Sequence, residues 1–115
     1  MRVPLADDQT KVRSALRLLP MHEPEVEIMG EVANSTVLLG WVKVVCPDLI
    51  LLDWELPGLP GATLLSLLYD HCPRLQVIAL SGRPEARKAA LDAVADAFAS
   101  KGDPPERLLA AMNAC

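Results

Sequence analysis

Four apolar residues in a row, Leu49-Ile50-Leu51-Leu52, stand between Asp48 and Asp53, and Trp54-Glu55-Leu56-Pro57-Gly58 follows at once. An apolar run this short, bounded by turn residues, reads as a strand buried on both faces. Such a strand belongs in a parallel sheet covered by helices on either side. An unpaired buried charge is costly, so Asp53 is expected where the strand leaves the sheet. In an open α/β sheet that carboxyl edge is where ligands bind.

The rest of the chain repeats this plan. Short apolar runs over 2–6, 25–32, 48–52, 76–81 and 95–100 alternate with helix-like segments over 9–19, 35–45, 62–71, 85–93 and 105–113. That alternation predicts βαβ units, a five-stranded parallel sheet and right-handed crossovers that put five helices on its two faces. The length of 115 residues suits one domain, 1–115, and there is no linker or low-complexity stretch. Two units echo each other: Cys46-Pro47 precedes 48–53 and Cys72-Pro73 precedes 74–81. In both, proline stops a helix before a strand that runs to a polar residue. Some local choices are poor. Pro4 removes a donor from a strand expected to be interior, Gly40 sits inside the segment 35–45, and 95–100 is an alanine-rich, weak strand.

Composition narrows the function. Aromatics are 3% of the chain, too few for base or flavin stacking, and the net charge of −4 argues against direct nucleic-acid binding. No apolar stretch approaches the roughly 18 residues of a membrane span. The acidic residues Asp7 and Asp8 come too early for a signal peptide, so a cytoplasmic protein with no membrane partner is expected. The three cysteines, Cys46, Cys72 and Cys115, are odd in number and lack a CxxC spacing. They read as reduced thiols.

If the strands are parallel, their carboxyl ends share one edge. Asp7 and Asp8 follow the first strand, Asp53 the third, Ser81 the fourth, and Ser100-Lys101 the fifth. Clustered carboxylates need a cation, and a few hard oxygen ligands suit Mg²⁺, which takes one or two carboxylates together with phosphate oxygens. A carboxylate beside that ion can act as a nucleophile toward phosphorus. A lysine offsets charge on the phosphoryl oxygens, and a small hydroxyl can hydrogen-bond to them.

These residues resemble the receiver domain of two-component response regulators over essentially the whole chain. The resemblance rests on the acid pair Asp7-Asp8, on Leu51-Leu52-Asp53-Trp54-Glu55-Leu56-Pro57-Gly58, on Ile78-Ala79-Leu80-Ser81-Gly82, and on Ala95 through Lys101, all in order. The wording near both ends resembles the subgroup with a LuxR-type helix-turn-helix output. The resemblance implies a flavodoxin-like sheet of order 2-1-3-4-5, with Asp53 as phosphoacceptor. Asp7, Asp8, Asp53 and the backbone carbonyl of Glu55 would hold Mg²⁺. Lys101 would pair with the phosphoryl group, Ser81 would be the switch hydroxyl, and Phe98 the switch aromatic. It implies a non-enzymatic switch, a sensor histidine kinase as partner and a possible homodimer. DNA would be reached only through an output domain absent from this chain.

Three positions depart from that pattern. Pro60 removes a helix N-cap. Val94 stands where glycine commonly closes a helix in the left-handed conformation. Gly102 follows Lys101 in place of a proline, and no cis bond is expected there. In 35–45, Leu38, Val42 and Val45 form one apolar face, while Val37, Trp41 and Val44 form a second that reads as surface drift or as a contact surface. His22 and His71 read as surface histidines. Leu64, Leu65, Leu67 and Leu68 read as core. The rival functional readings are a pseudo-receiver that never carries phosphate, a stand-alone phosphorelay carrier, a flavodoxin-type redox carrier and a Mg²⁺-dependent phosphatase.

Overall fold

The computed structural model describes residues 2–7, 27–102, 107–108 and 110–111. The eight complete elements run β1 (Arg2–Ala6), β2 (Glu27–Val32), α1 (Ser35–Val44), β3 (Leu49–Asp53), α2 (Gly61–His71), β4 (Gln76–Ser81), α3 (Ala86–Asp92) and β5 (Ala97–Ser100). Residues 107–108 and 110–111 are helical. The helix expected over 9–19 and the remainder of the one expected over 105–113 lie outside the described residues, as do Asp8, His22 and Cys115.

The five strands form one parallel sheet in the order β2-β1-β3-β4-β5, the flavodoxin-like arrangement. Side chains alternate across a strand, and here both sets are buried. Ile50 and Leu52 of β3 and Val77 and Ala79 of β4 point toward Leu38 and Val42 of α1 and Leu64, Leu65 and Leu68 of α2. Leu49, Leu51, Ile78 and Leu80 point the other way, to a second core with Val3, Leu5, Ala99 and Leu108. Two buried faces explain the unbroken apolar wording of 49–52. Among the described residues no helix is long and apolar enough to cross a membrane.

The poor local choices are absorbed in identifiable ways. β1 is interior, and its register against β2 shifts between Val3 and Pro4, which accommodates the missing proline N–H. Gly40 faces open space, so its cost is helix propensity alone. Asn34 caps α1, its Oδ1 accepting from the Val37 N–H at 3.0 Å. Pro60 gives α2 no side-chain cap; its carbonyl accepts from the Leu64 N–H at 2.9 Å.

Other expectations need correction. β5 starts two residues later than 95 because the Asp96 side chain, not a strand backbone, accepts the Val77 N–H at 2.7 Å. Val45 is half exposed rather than core, since it leaves α1 in an extended conformation as its C-cap. Leu67 points away from the core that takes Leu64, Leu65 and Leu68. The second apolar face of α1 divides: Trp41 packs on β2, where a Cβ at Gly30 would overlap its ring, while Val37 and Val44 stay exposed. Val94 adopts the left-handed conformation in spite of its branched side chain, at φ 69°, held by Tyr69 of α2. The Tyr69 hydroxyl donates to the Val94 carbonyl at 2.8 Å and lies 3.0 Å from Asp96 Oδ2. Cys46 and Cys72 are joined as a disulfide, not separate thiols. No cis peptide bond occurs among the described residues.

Candidate phosphoacceptor site

The carboxyl edge gathers side chains from four strands that share no local sequence. Asp7 follows β1, Asp53 ends β3, Ser81 ends β4, and Lys101 follows β5. Backbone bonds fix each: the Asp7 N–H donates to the Val32 carbonyl at 3.0 Å, the Trp54 N–H to Leu80 at 2.7 Å, and the Lys101 N–H to Ser81 at 2.8 Å.

The centre is an ion triplet. Lys101 Nζ lies 2.7 Å from Asp7 Oδ2 and 3.1 Å from Asp53 Oδ1. Asp7 is 0% and Asp53 2% exposed. Asp53 Oδ1 also accepts from the Glu55 N–H at 3.1 Å. Burial pushes the Asp53 carboxyl above its ordinary value; the Glu55 N–H draws it down, the Asp7 charge pushes it up, and Lys101 draws it down, leaving it raised. Burial works against the Lys101 ammonium, but hydrogen bonds to Asp7 and Asp53 and their charges outweigh it, so its pKa is also raised.

Among the described residues, two buried carboxylates, Asp7 and Asp53, share the Lys101 ammonium. That donor set fits a hard divalent cation held by one or two carboxylates. Among the described residues no group of three His, Cys, Asp or Glu side chains forms a closed metal cage.

Ser81 is engaged with Glu55 and Arg83. Its hydroxyl donates to Glu55 Oε1 at 2.7 Å and accepts from the Arg83 N–H at 3.0 Å, while the Arg83 guanidinium stands 3.6 Å from Glu55 Oε2. The Glu55 side chain is thus engaged with the Ser81 hydroxyl, a contact that the sequence does not reveal. Phe98, opposite Ala79 in the β4–β5 register, packs half-buried on the first core.

Ser35 was missed entirely. It is fully buried at the start of α1, where its hydroxyl accepts from the Leu59 N–H at 2.9 Å and its N–H donates to the Pro57 carbonyl at 3.0 Å. Between those contacts Gly58 turns at φ +115°, and a Cβ there would overlap Ser35 Oγ. The loop after β3 is therefore pinned to α1. The sequence signal was Gly58 itself, since a positive φ beside a close neighbour demands glycine.

Comparison with known proteins agrees with this geometry. Residues 3–113 match the response regulator receiver domain. The nitrate/nitrite response regulator NarL of Escherichia coli K12 is 32% identical over 111 residues, covering 95% of this chain and 51% of that protein. The transcriptional regulatory protein YhcZ of Bacillus subtilis is 29% identical over 95% of this chain and 52% of its own length. The chain thus spans about half the length of these relatives. Among solved structures, RcsB of Salmonella enterica, bound to promoter rprA with the phosphomimetic BeF3-, superposes with a TM-score of 0.89 at 28% identity, over 99% of this chain and 97% of that one. The signal receiver domain of the putative regulator NarL of Mycobacterium tuberculosis gives 0.87 at 25% identity, over 99% and 94%. The chain belongs to the response regulator receiver domain family and resembles its LuxR-type members.

Proposed function

We propose that residues 1–115 form a single receiver domain that accepts a phosphoryl group on Asp53 from a sensor histidine kinase. The observation that carries this reading is the buried triplet Asp7–Lys101–Asp53, which pairs a potential nucleophile with a fixed positive charge at a strand end. Asp7, Asp53 and the Glu55 backbone carbonyl would hold Mg²⁺, with Asp8, outside the described residues, as a further ligand. The ion would neutralise charge on the phosphoryl oxygens.

The protein's own groups divide the remaining work. Lys101, tethered between both carboxylates, is within reach of a group on Asp53 and would pair with it. Ser81 is engaged with Glu55, so reaching a phosphoryl oxygen requires it to leave Glu55 Oε1. The Glu55–Arg83 pair is exposed and screened by solvent, which keeps that exchange inexpensive. Phe98, half-buried against the core, would then move with β5 and bias the face of α3, β5 and the final helical segment toward a homodimer or an output. The family points to a non-enzymatic, cytoplasmic switch. RcsB, solved bound to a promoter, and the transcriptional regulatory protein YhcZ support a transcriptional output carried by a segment beyond this chain.

The test is intact mass after incubation with acetyl phosphate and Mg²⁺. One added phosphoryl group is expected, absent in Asp53→Asn. No addition to the parent protein would leave a pseudo-receiver as the better reading. Trp54, adjacent to Asp53, offers a fluorescence readout of Mg²⁺ and beryllofluoride in a Trp41→Phe background.

A further inference from the structure

The two Cys-Pro dipeptides meet at the opposite edge of the sheet from Asp53. β3 and β4 are parallel neighbours with Leu49 opposite Gln76. Cys46 follows the C-cap of α1 and Cys72 is the C-cap of α2, each in the segment that leads into one of these strands, and α1 and α2 pack on the same face. Equivalent positions in adjacent units are therefore close, and Cys46 and Cys72 are bridged with their Cα atoms 5.7 Å apart, an ordinary separation for a disulfide. Cys46 is exposed, whereas Cys72 is 3% exposed. A cavity of about 400 Å³ opens beside the pair, lined by both cysteines, both following prolines, Asp48 and Arg74.

We propose that Cys46–Cys72 is a reversible redox site, exchanged by a small zwitterionic thiol of the glutathione type that enters this cavity and attacks the Cys46 sulfur. Arg74 suits a carboxylate of such a thiol and Asp48 its ammonium group. The incoming thiolate bonds to Cys46 Sγ, the Cys46–Cys72 bond breaks, and the electron pair leaves on Cys72 Sγ, which takes a proton from water. A second thiolate attacks the mixed disulfide and releases Cys46. One protein disulfide and two small thiols thus become two protein thiols and one small-molecule disulfide. The reverse sequence, driven by glutathione disulfide, closes the bridge. Closure ties the end of α1 to the end of α2, beside the groove lined by Leu39, Lys43, Leu67, Asp70 and His71. The proposal is independent of the reading of Asp53.

The full chain is equilibrated in mixtures of reduced and oxidised glutathione, quenched with iodoacetamide and weighed intact. With three cysteines in the sequence, the closed bridge leaves one to label and the open bridge three. A graded, reversible passage between one and three labels is expected. Three labels in every mixture, or one label after prolonged native incubation in reduced glutathione alone, would overturn the proposal. Entry at Cys46 is read separately. With oxidised glutathione as the reagent, and one reduced glutathione leaving, Cys72→Ala should form the mixed disulfide at Cys46 at least about tenfold faster than Cys46→Ala forms it at Cys72, as exposure controls thiol reactivity. Comparable rates refute that route. If either variant fails to fold, peptide mapping of the mixed disulfide trapped in the parent protein decides, with Cys46 expected and Cys72 refuting.

Discussion

Replacing Val94 by glycine and, separately, by alanine measures the strain in the turn after α3. Val94 sits at φ 69° and is 70% exposed, so the two variants differ by one largely solvated methyl group and little else. The hydrogen bond from Tyr69 uses the residue 94 carbonyl and survives in both. In this conformation a Cβ costs roughly 1–2 kcal/mol. Elsewhere glycine is worse than alanine by roughly 0.5–1 kcal/mol, through the entropy of the unfolded chain. The difference favours glycine by about 0.5–1 kcal/mol, reversing the usual order. Unfolding entropy for 115 residues is about 240 cal/mol/K, so Val94→Gly should melt about 3 °C above Val94→Ala. Urea unfolding followed by tryptophan fluorescence, with scanning calorimetry, reads both quantities. An alanine variant equal to or more stable than the glycine variant would show that the turn is not left-handed in solution, and the strain argument would fall.

Three further outcomes follow from the site. Lys101→Met removes the ammonium that bridges the buried Asp7 and Asp53 and should cost about 3–5 kcal/mol at neutral pH; a loss below about 1 kcal/mol in denaturant titration would contradict the buried triplet. The raised Asp53 pKa means the folded state binds its proton more tightly, so stability falls as pH rises from the ordinary carboxylate range through the folded value. Asp53→Asn should therefore match the parent in acid and exceed it at neutral pH, a gap that Mg²⁺ narrows by binding the parent protein; a gap that does not change with pH, measured by melting, would refute it. Gly58→Ala combines a backbone at φ +115° with overlap on Ser35 Oγ and should destabilise by about 3 kcal/mol, from strain and the lost Leu59–Ser35 bond; near-neutral stability would mean the loop is not pinned.

Much of the fold and site was legible because it depends on local rules applied repeatedly. Runs such as 49–52 and 77–80 identify strands buried on both faces, and parallel strands necessarily gather their carboxyl ends. That is why Asp7, Asp53, Ser81 and Lys101, scattered over the sequence, could be placed at one edge. What escaped depends on pairings between distant segments with no local signature. Ser35 looks like any helix-start serine until the loop at 57–59 lies against it. Tyr69 and Asp96 look like surface residues until α2 and the start of β5 are side by side. The pairing of Glu55 with the Ser81 hydroxyl escaped because nothing in 53–58 reveals that the two side chains meet. The disulfide was missed although its signal was visible: the two Cys-Pro echoes occupy matching places in successive βα units, and matching places in adjacent parallel units are neighbours.

β3 has five residues and β4 six, so their two ends are separated by about 13–17 Å. That exceeds the roughly 7–10 Å within which substitutions usually couple. Changes made where these strands begin and changes made where they end should therefore add in free energy. The domain offers an experimental handle of its own: a variant strengthened at the entry side of the sheet can carry destabilising replacements at the exit side and remain folded enough to measure them.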